Sequence, residues 1–186
     1  SQLIGPQGTP QTLLKWLRAW KQDTRQKSAL IIGPTGCGKT LLARLACKEI
    51  GMGDRVLELN CITKKTKKVL DAIRSAFLCR PVSYYAGGTA SARQQSTLPF
   101  PGVIIIDEIH AIEPNGLSGL LSFIRNSRVP VICIAGDDYN KKLTNLSASS
   151  LLLRMLKPTS AQVADRLSFI CIQEKLPGCN AGSMKA

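Results

Sequence analysis

Apolar positions along this chain follow two rhythms. Leu13, Leu14, Trp16, Leu17 and Trp20 fall at the spacing of one helical face and predict an amphipathic helix over residues 12–21. Short, mostly apolar runs at 29–32, 56–59, 103–106, 131–135 and 151–153 are too brief for helices and predict strands buried on both faces. Helical stretches over 40–50, 64–78, 115–126 and 161–175 alternate with them. Gly51-Met52-Gly53 stops the first of these, Thr63 is placed to cap the second, and Pro114 precedes the third. Residues 80–101, rich in Gly, Ser, Thr, Ala and Gln, read as one long loop. Strands alternating with helices define an α/β fold, a parallel five-stranded sheet covered by helices. Ligands of such sheets bind beyond the carboxyl ends of the strands.

Composition narrows this picture. The 186 residues fit one domain with part of a second, enough to bury a core without disulfides or metals. No apolar run approaches the roughly 20 residues of a membrane-spanning helix, so no membrane is expected as a partner. No basic region followed by an apolar stretch marks a secretory signal. Lys and Arg number 25 against 12 acidic residues, a net charge of +13. Such an excess fits a polyanionic partner, nucleic acid being the commonest, or else a well-solvated surface. The seven cysteines are odd in number and form no C-x-x-C pair, and several lie in apolar runs, as Cys133 does. That pattern suits reduced, buried thiols in an intracellular protein.

Two motifs carry chemistry. Gly33-Pro34-Thr35-Gly36-Cys37-Gly38-Lys39-Thr40 satisfies G-x-x-x-x-G-K-[ST] in full, between an expected strand and an expected helix. Its glycines let backbone N–H groups turn toward phosphate oxygens, and the helix from Thr40 and Leu41 onward adds the positive end of its dipole. Lys39 is the expected neutraliser of the β- and γ-phosphates, and the Thr40 hydroxyl an expected Mg²⁺ ligand. Downstream, Val103-Ile104-Ile105-Ile106 leads into Asp107-Glu108. Asp107 is expected to hold Mg²⁺ through water, and Glu108 to orient and deprotonate the attacking water. With His110 the string reads Asp-Glu-Ile-His, superficially a helicase signature, and His110 is read as a surface residue.

Lys64-Lys65-Thr66-Lys67-Lys68 opens the second expected helix. Cations there oppose the helix dipole, costing about 0.3–1 kcal/mol each when exposed. A phosphate backbone bound by Thr63, Lys64, Lys65, Lys67 and Lys68 would offset that cost without reading sequence. A solvated charged face is the plainer alternative.

In this order the motifs resemble the AAA+ ATPase module of sliding-clamp loaders, above all the large-subunit branch of replication factor C. Leu3-Ile4-Gly5-Pro6-Gln7-Gly8 with Leu14-Lys15-Trp16-Leu17-Arg18-Ala19-Trp20 is similar to that branch's opening helix. Glu58-Leu59-Asn60 is similar to the family's Glu-Leu-Asn-Ala-Ser-Asp segment. The Tyr84-Tyr85 loop, the Val129–Ile134 run with Asp137 after it, and Arg154 add to the likeness. The resemblance runs to about Leu176. It implies ATP and Mg²⁺ as cofactors, with Ile4 and Gly5 lining the adenine site. It implies that Asn60 holds Glu108 inactive until DNA is present, and that the lysines from Lys64 face duplex DNA. Asp137-Asp138 stands where AAA+ proteins place a polar sensor of the γ-phosphate, and reads equally as a strand-to-loop turn. Partners implied are other loader subunits, a sliding clamp and primed double-stranded DNA, with a nuclear location in a eukaryotic cell. Three departures are visible. The family's sensor asparagine aligns with Gly136, Ala148-Ser149-Ser150 replaces the small subunits' Ser-Arg-Cys arginine-finger motif, and Asn60-Cys61-Ile62-Thr63 replaces Asn-Ala-Ser-Asp.

The expected organisation is an AAA+ nucleotide-binding domain over residues 1–158, with the start of a truncated helical lid over 159–186. The expected function is that of an ATPase subunit, dependent on a neighbouring subunit, which loads a clamp onto primed DNA. The alternatives are a catalytically weak, ATP-binding structural subunit, favoured by Gly136, and a different P-loop helicase or translocase.

Overall fold

The computed structural model describes residues 8–21, 25–62, 71, 73, 102–136 and 143–174. Helix α1 spans Gly8–Ala19, strand β1 Ser28–Ile32 and helix α2 Lys39–Glu49. A 3₁₀ turn over Gly53–Arg55 leads into β2, Val56–Asn60. Strand β3, Val103–Asp107, is followed by a 3₁₀ turn at Ile109–Ala111 and by α3, Pro114–Arg125. Then come β4, Val131–Ala135, α4, Thr144–Ser149, β5, Leu151–Arg154, and α5, Ser160–Gln173.

The five strands form one sheet in the order β2-β3-β4-β1-β5, and every pairing is parallel. The three central strands are buried along their whole length. Successive side chains of a strand point to opposite faces, so an unbroken apolar run supplies two cores at once. Leu30 and Ile32, Ile104 and Ile106, and Val131 and Cys133 pack on one face with Leu120 and Ile124 of α3 and Leu146 of α4. Ala29 and Ile31, Val103 and Ile105, and Ile132 and Ile134 pack on the other, with Leu13, Trp16 and Leu17 of α1 and Leu42, Ala43 and Ala46 of α2. Each fully buried branched side chain contributes about 1.5–3 kcal/mol.

The element bounds differ from the sequence reading where polar groups join regular structure. The first helix begins at Gly8, not residue 12, with the Thr12 hydroxyl donating to the Gly8 carbonyl at 2.8 Å. It ends before Trp20, whose indole N–H instead donates to the Lys27 carbonyl at 3.3 Å. Ser28 joins β1 because its buried hydroxyl is paired with that of Ser150 at 2.6 Å. Asn60 and Asp107 extend β2 and β3 by one residue each, directly opposite one another in the ladder. The six-residue α4 is absent from the sequence reading altogether.

Helix α5 carries a full capping box: Thr159 Oγ1 accepts the Gln162 N–H, and Gln162 Oε1 accepts the Thr159 N–H. None of its residues is buried, and Leu167, Phe169, Ile170 and Ile172 are exposed. The expected helix over 64–78 lies outside the described residues apart from Asp71 and Ile73, both helical, with Ile73 in the core. The expected loop over 80–101 lies outside them as well. No described helix is long and apolar enough to cross a membrane.

Candidate nucleotide site

The carboxyl ends of β1, β2, β3 and β4 meet the amino end of α2, and the two motifs converge there. Gly36 and Gly38 have φ of 82° and 89°, left-handed backbone that L side chains adopt only at a cost. The loop between β1 and α2 can therefore turn its N–H groups inward. Gly38 stands at the N-cap of α2 with no side chain bonded across the first turn, and no acidic residue lies in that turn. Helix N-termini built this way suit phosphate oxygens. Gly33 is a glycine for a different reason: a Cβ there would meet the Met155 carbonyl oxygen at 2.4 Å. Gly33→Ala is expected to destabilise the fold by about 1–3 kcal/mol through this forced displacement, read as a lowered midpoint of urea unfolding.

Lys39 is buried, and its ammonium donates to the carbonyls of Gly33 at 2.7 Å and Pro34 at 3.0 Å. These bonds hold the cation over the loop that its motif forms. The Thr40 hydroxyl donates to Asp107 Oδ2 at 2.8 Å, so residues 67 positions apart meet across the cleft. The other carboxylate oxygen, Oδ1, accepts the Glu108 N–H at 2.9 Å. Two hard oxygen donors thus stand side by side on α2 and β3. They suit Mg²⁺, which takes one or two protein oxygens plus phosphate and water ligands. Among the described residues no cluster of three His, Cys, Asp or Glu offers a closed metal cage.

Glu108 is the only non-glycine described residue with positive φ, at φ 55° and ψ 44°. A left-handed L residue costs about 1–2 kcal/mol, and such strain gathers at functional sites. His110, read from sequence as a surface residue, is instead only partly exposed and packs at this turn. Its Nδ1 is 3.3 Å from Glu108 Oε2 and 3.4 Å from the Gly136 nitrogen. The available signal was the i, i+3 pair Ile109 and Ile112, both buried, which fixes the turn between them.

Beside the cleft, Arg44 of α2 makes a two-point ion pair with Glu58 of β2, its Nε donating to Oε2 at 2.8 Å. This hydrogen bond, and the charge behind it, raise the Arg44 guanidinium further above its already high value. Asn60 stands opposite Asp107, and its Oδ1 accepts the Ile62 N–H at 2.8 Å. Cys37, Cys47, Cys61 and Cys133 are buried, Cys171 is half-buried, and none of the five is in a disulfide. Burial raises the Cys47 thiol to about 11. Burial, then the charges of Asp107 and Glu108, raise Cys61 to about 12. Burial above all raises Cys133 too. At neutral pH these three thiols stay protonated and weakly nucleophilic.

Of the residues expected at the site, Gly33, Pro34, Thr35, Gly36, Cys37, Gly38, Lys39, Thr40 and Leu41 form the loop after β1 and the start of α2, and the Thr40 bond brings Asp107, with Glu108 beside it, against them. Ile4, Gly5, Thr63, Lys64, Lys65, Lys67, Lys68 and Asp137 lie outside the described residues.

A parallel sheet with this loop and this acidic strand end defines a P-loop nucleotide-binding domain. The chain belongs to the AAA family, the ATPase family associated with various cellular activities, whose model matches residues 29–158. It is similar to human replication factor C subunit 1, 27% identical over 198 residues and 92% of this chain, and to the Drosophila melanogaster subunit, 30% identical over 155 residues and 81%. The replication factor C large subunit of the archaeon Staphylothermus marinus is 26% identical over 95% of the chain. The chain spans 17%, 15% and 39% of those relatives' lengths. Among solved structures, Caenorhabditis elegans PCH-2 matches 95% of this chain and 50% of its own, with TM-score 0.62 at 16% identity. Domain III of Thermotoga maritima DnaA, the replication initiation protein, matches 93% of this chain and 72% of its own, with TM-score 0.57 at 14% identity. These two likenesses concern the fold alone.

Proposed function

We propose that this chain is the ATPase module of a sliding-clamp loader of the large-subunit type, working in a hetero-oligomer on primed double-stranded DNA. The observation that carries the reading is the similarity to replication factor C large subunits from eukaryotes and an archaeon, which in the human and archaeal cases extends over more than nine-tenths of the chain. The site's chemistry supports it. Lys39 and the amino end of α2 bind the β- and γ-phosphates, while Thr40 and Asp107 would hold Mg²⁺, which neutralises phosphate charge when bound. Glu108 takes a proton from water as the water oxygen bonds to the γ-phosphorus. The bond to the β–γ bridging oxygen then breaks, leaving ADP and inorganic phosphate.

The same reading assigns Ile4 and Gly5 to the adenine, Asp137 to the γ-phosphate, and Asn60 to restraint of Glu108. It assigns Thr63, Lys64, Lys65, Lys67 and Lys68 to the DNA backbone. Residues 1–158 form the nucleotide-binding domain, and α5 belongs to a helical lid over 159–186. A neighbouring subunit supplies the group that completes hydrolysis, and in a eukaryotic cell the site of action is the nucleus.

A second reading, nucleotide as a structural element with little hydrolysis, is favoured by Gly136, which offers no side chain at the end of β4. Single-turnover cleavage of γ-labelled ATP by this chain, with and without primed DNA and loader subunits, separates the two. Turnover that rises in the assembled mixture supports the loader reading. Tight ATP binding with the same negligible turnover throughout overturns it in favour of the second.

A further inference from the structure

The turn after β3 places one imidazole between two groups that cannot both be satisfied. Ile109 and Ile112 are 1% and 5% exposed and anchor the 3₁₀ turn in the core. In a 3₁₀ helix residues i and i+3 eclipse, so His110 between them is carried off the buried side. Its Nδ1 lies 3.3 Å from Glu108 Oε2 and 3.4 Å from the Gly136 nitrogen. A ring nitrogen either bears a proton and donates or presents a lone pair and accepts. Nδ1–H can hold the carboxylate, or an unprotonated Nδ1 can take the Gly136 N–H, but not both at once.

Glu108 needs such a partner. Its left-handed backbone is strained and persists only where the surroundings fix it. The backbone is fixed by the Glu108 N–H on Asp107 Oδ1 and by the Ala111 N–H on the Glu108 carbonyl at 3.0 Å. Neither bond constrains the carboxylate, which is about a third exposed. His110 Nδ1 lies within reach of it at 3.3 Å, and in this structure that nitrogen accepts the Gly136 N–H at the end of β4. No side chain at Gly136 competes for that place: a Cβ there would lie 3.7 Å from His110 Cε1, in ordinary contact.

We infer that His110 is a positioning residue for Glu108, orienting its carboxylate when Nδ1 bears the proton and releasing it when, as in this structure, Nδ1 accepts the Gly136 N–H. The inference rests on the reading of Glu108 as the base for hydrolysis. Movement at the end of β4 thereby reaches the catalytic carboxylate through one side chain.

This is the chain's only histidine, so its ring nitrogens give one unambiguous pair of ¹⁵N signals. Relative to the wild-type chain, Glu108→Gln should shift the ring-nitrogen signals toward the Nε2–H form. In single-turnover cleavage, His110→Ala should slow hydrolysis roughly 10- to 100-fold, as a misoriented group does, with ATP affinity unchanged. His110→Asn, whose amide can donate from nearly the same place, should recover much of the rate. Identical ring-nitrogen signals in wild type and Glu108→Gln would overturn the inference. So would wild-type turnover in His110→Ala under conditions where Glu108→Gln is inactive, and that outcome leaves the reading of Glu108 standing. Absence of turnover in the wild-type chain assembled with loader subunits and DNA removes both together.

Discussion

Glu108→Gln is expected to lower ATP turnover by about 10²–10⁴-fold, the usual contribution of a positioned general base, while ATP still binds. Glutamine keeps the length and shape of the side chain and cannot take the proton from water. The left-handed backbone at 108 costs glutamate and glutamine alike, and the Glu108 N–H bond to Asp107 Oδ1 involves only the main chain. Folding stability should therefore be nearly unchanged, and the loss should fall on the chemical step. Parallel measurement of ATP affinity by calorimetry and of single-turnover cleavage checks both halves. Turnover that ignores the substitution would remove Glu108 from the reaction and assign the acidic strand end to metal binding alone.

Lys39→Ala is expected to act at the opposite stage. Losing a charge-assisted contact to phosphate should raise the dissociation constant for ATP by about 10- to 100-fold, equivalent to 1.4–2.8 kcal/mol. The buried ammonium also bonds the Gly33 and Pro34 carbonyls, so the substitution removes a brace from the loop as well as a ligand for the nucleotide. A lowered melting temperature without ATP should accompany the weakened binding, together with loss of the stabilisation that added ATP gives the wild type. Tight ATP binding by Lys39→Ala would mean that the N–H groups of the loop and of α2 suffice.

The centre of the sheet was legible because its three middle strands are buried on both faces. Runs such as Val103-Ile104-Ile105-Ile106 have no polar face to present and are too short for helices. The phosphate loop was legible because its glycines and its lysine are fixed by geometry rather than by context. What escaped was decided by tertiary partners. Ser28 pairs in β1 with its buried hydroxyl satisfied by Ser150, and nothing local announces that bond. Helix α4, Thr-Asn-Leu-Ser-Ala-Ser, has one buried residue, Leu146, and so no period to detect. His110 was read as surface because a lone histidine has no pattern. Its place is set by Ile109 and Ile112 below it and by the end of a strand some 25 residues later. The convergence of Thr40 and Asp107 was expected from the motifs, while the direct 2.8 Å bond between them required the sheet order to bring β3 near β1.

That strand order also sets a timetable. Among the strands of this sheet β1 is synthesised first, yet both its neighbours, β4 and β5, are the last two. Until β5 and Met155 have been synthesised, β1 has at most one partner, and Gly33, whose carbonyl receives Lys39, is not yet packed against Met155. Strands β2 and β3 pair with each other earlier, so the acidic half of the cleft can form ahead of the phosphate-binding half. A nascent chain halted before β5 therefore holds an incomplete cradle, and nucleotide capture becomes a late event in the life of each newly made molecule. ATP, binding only the finished fold, would then draw the last pairing to completion.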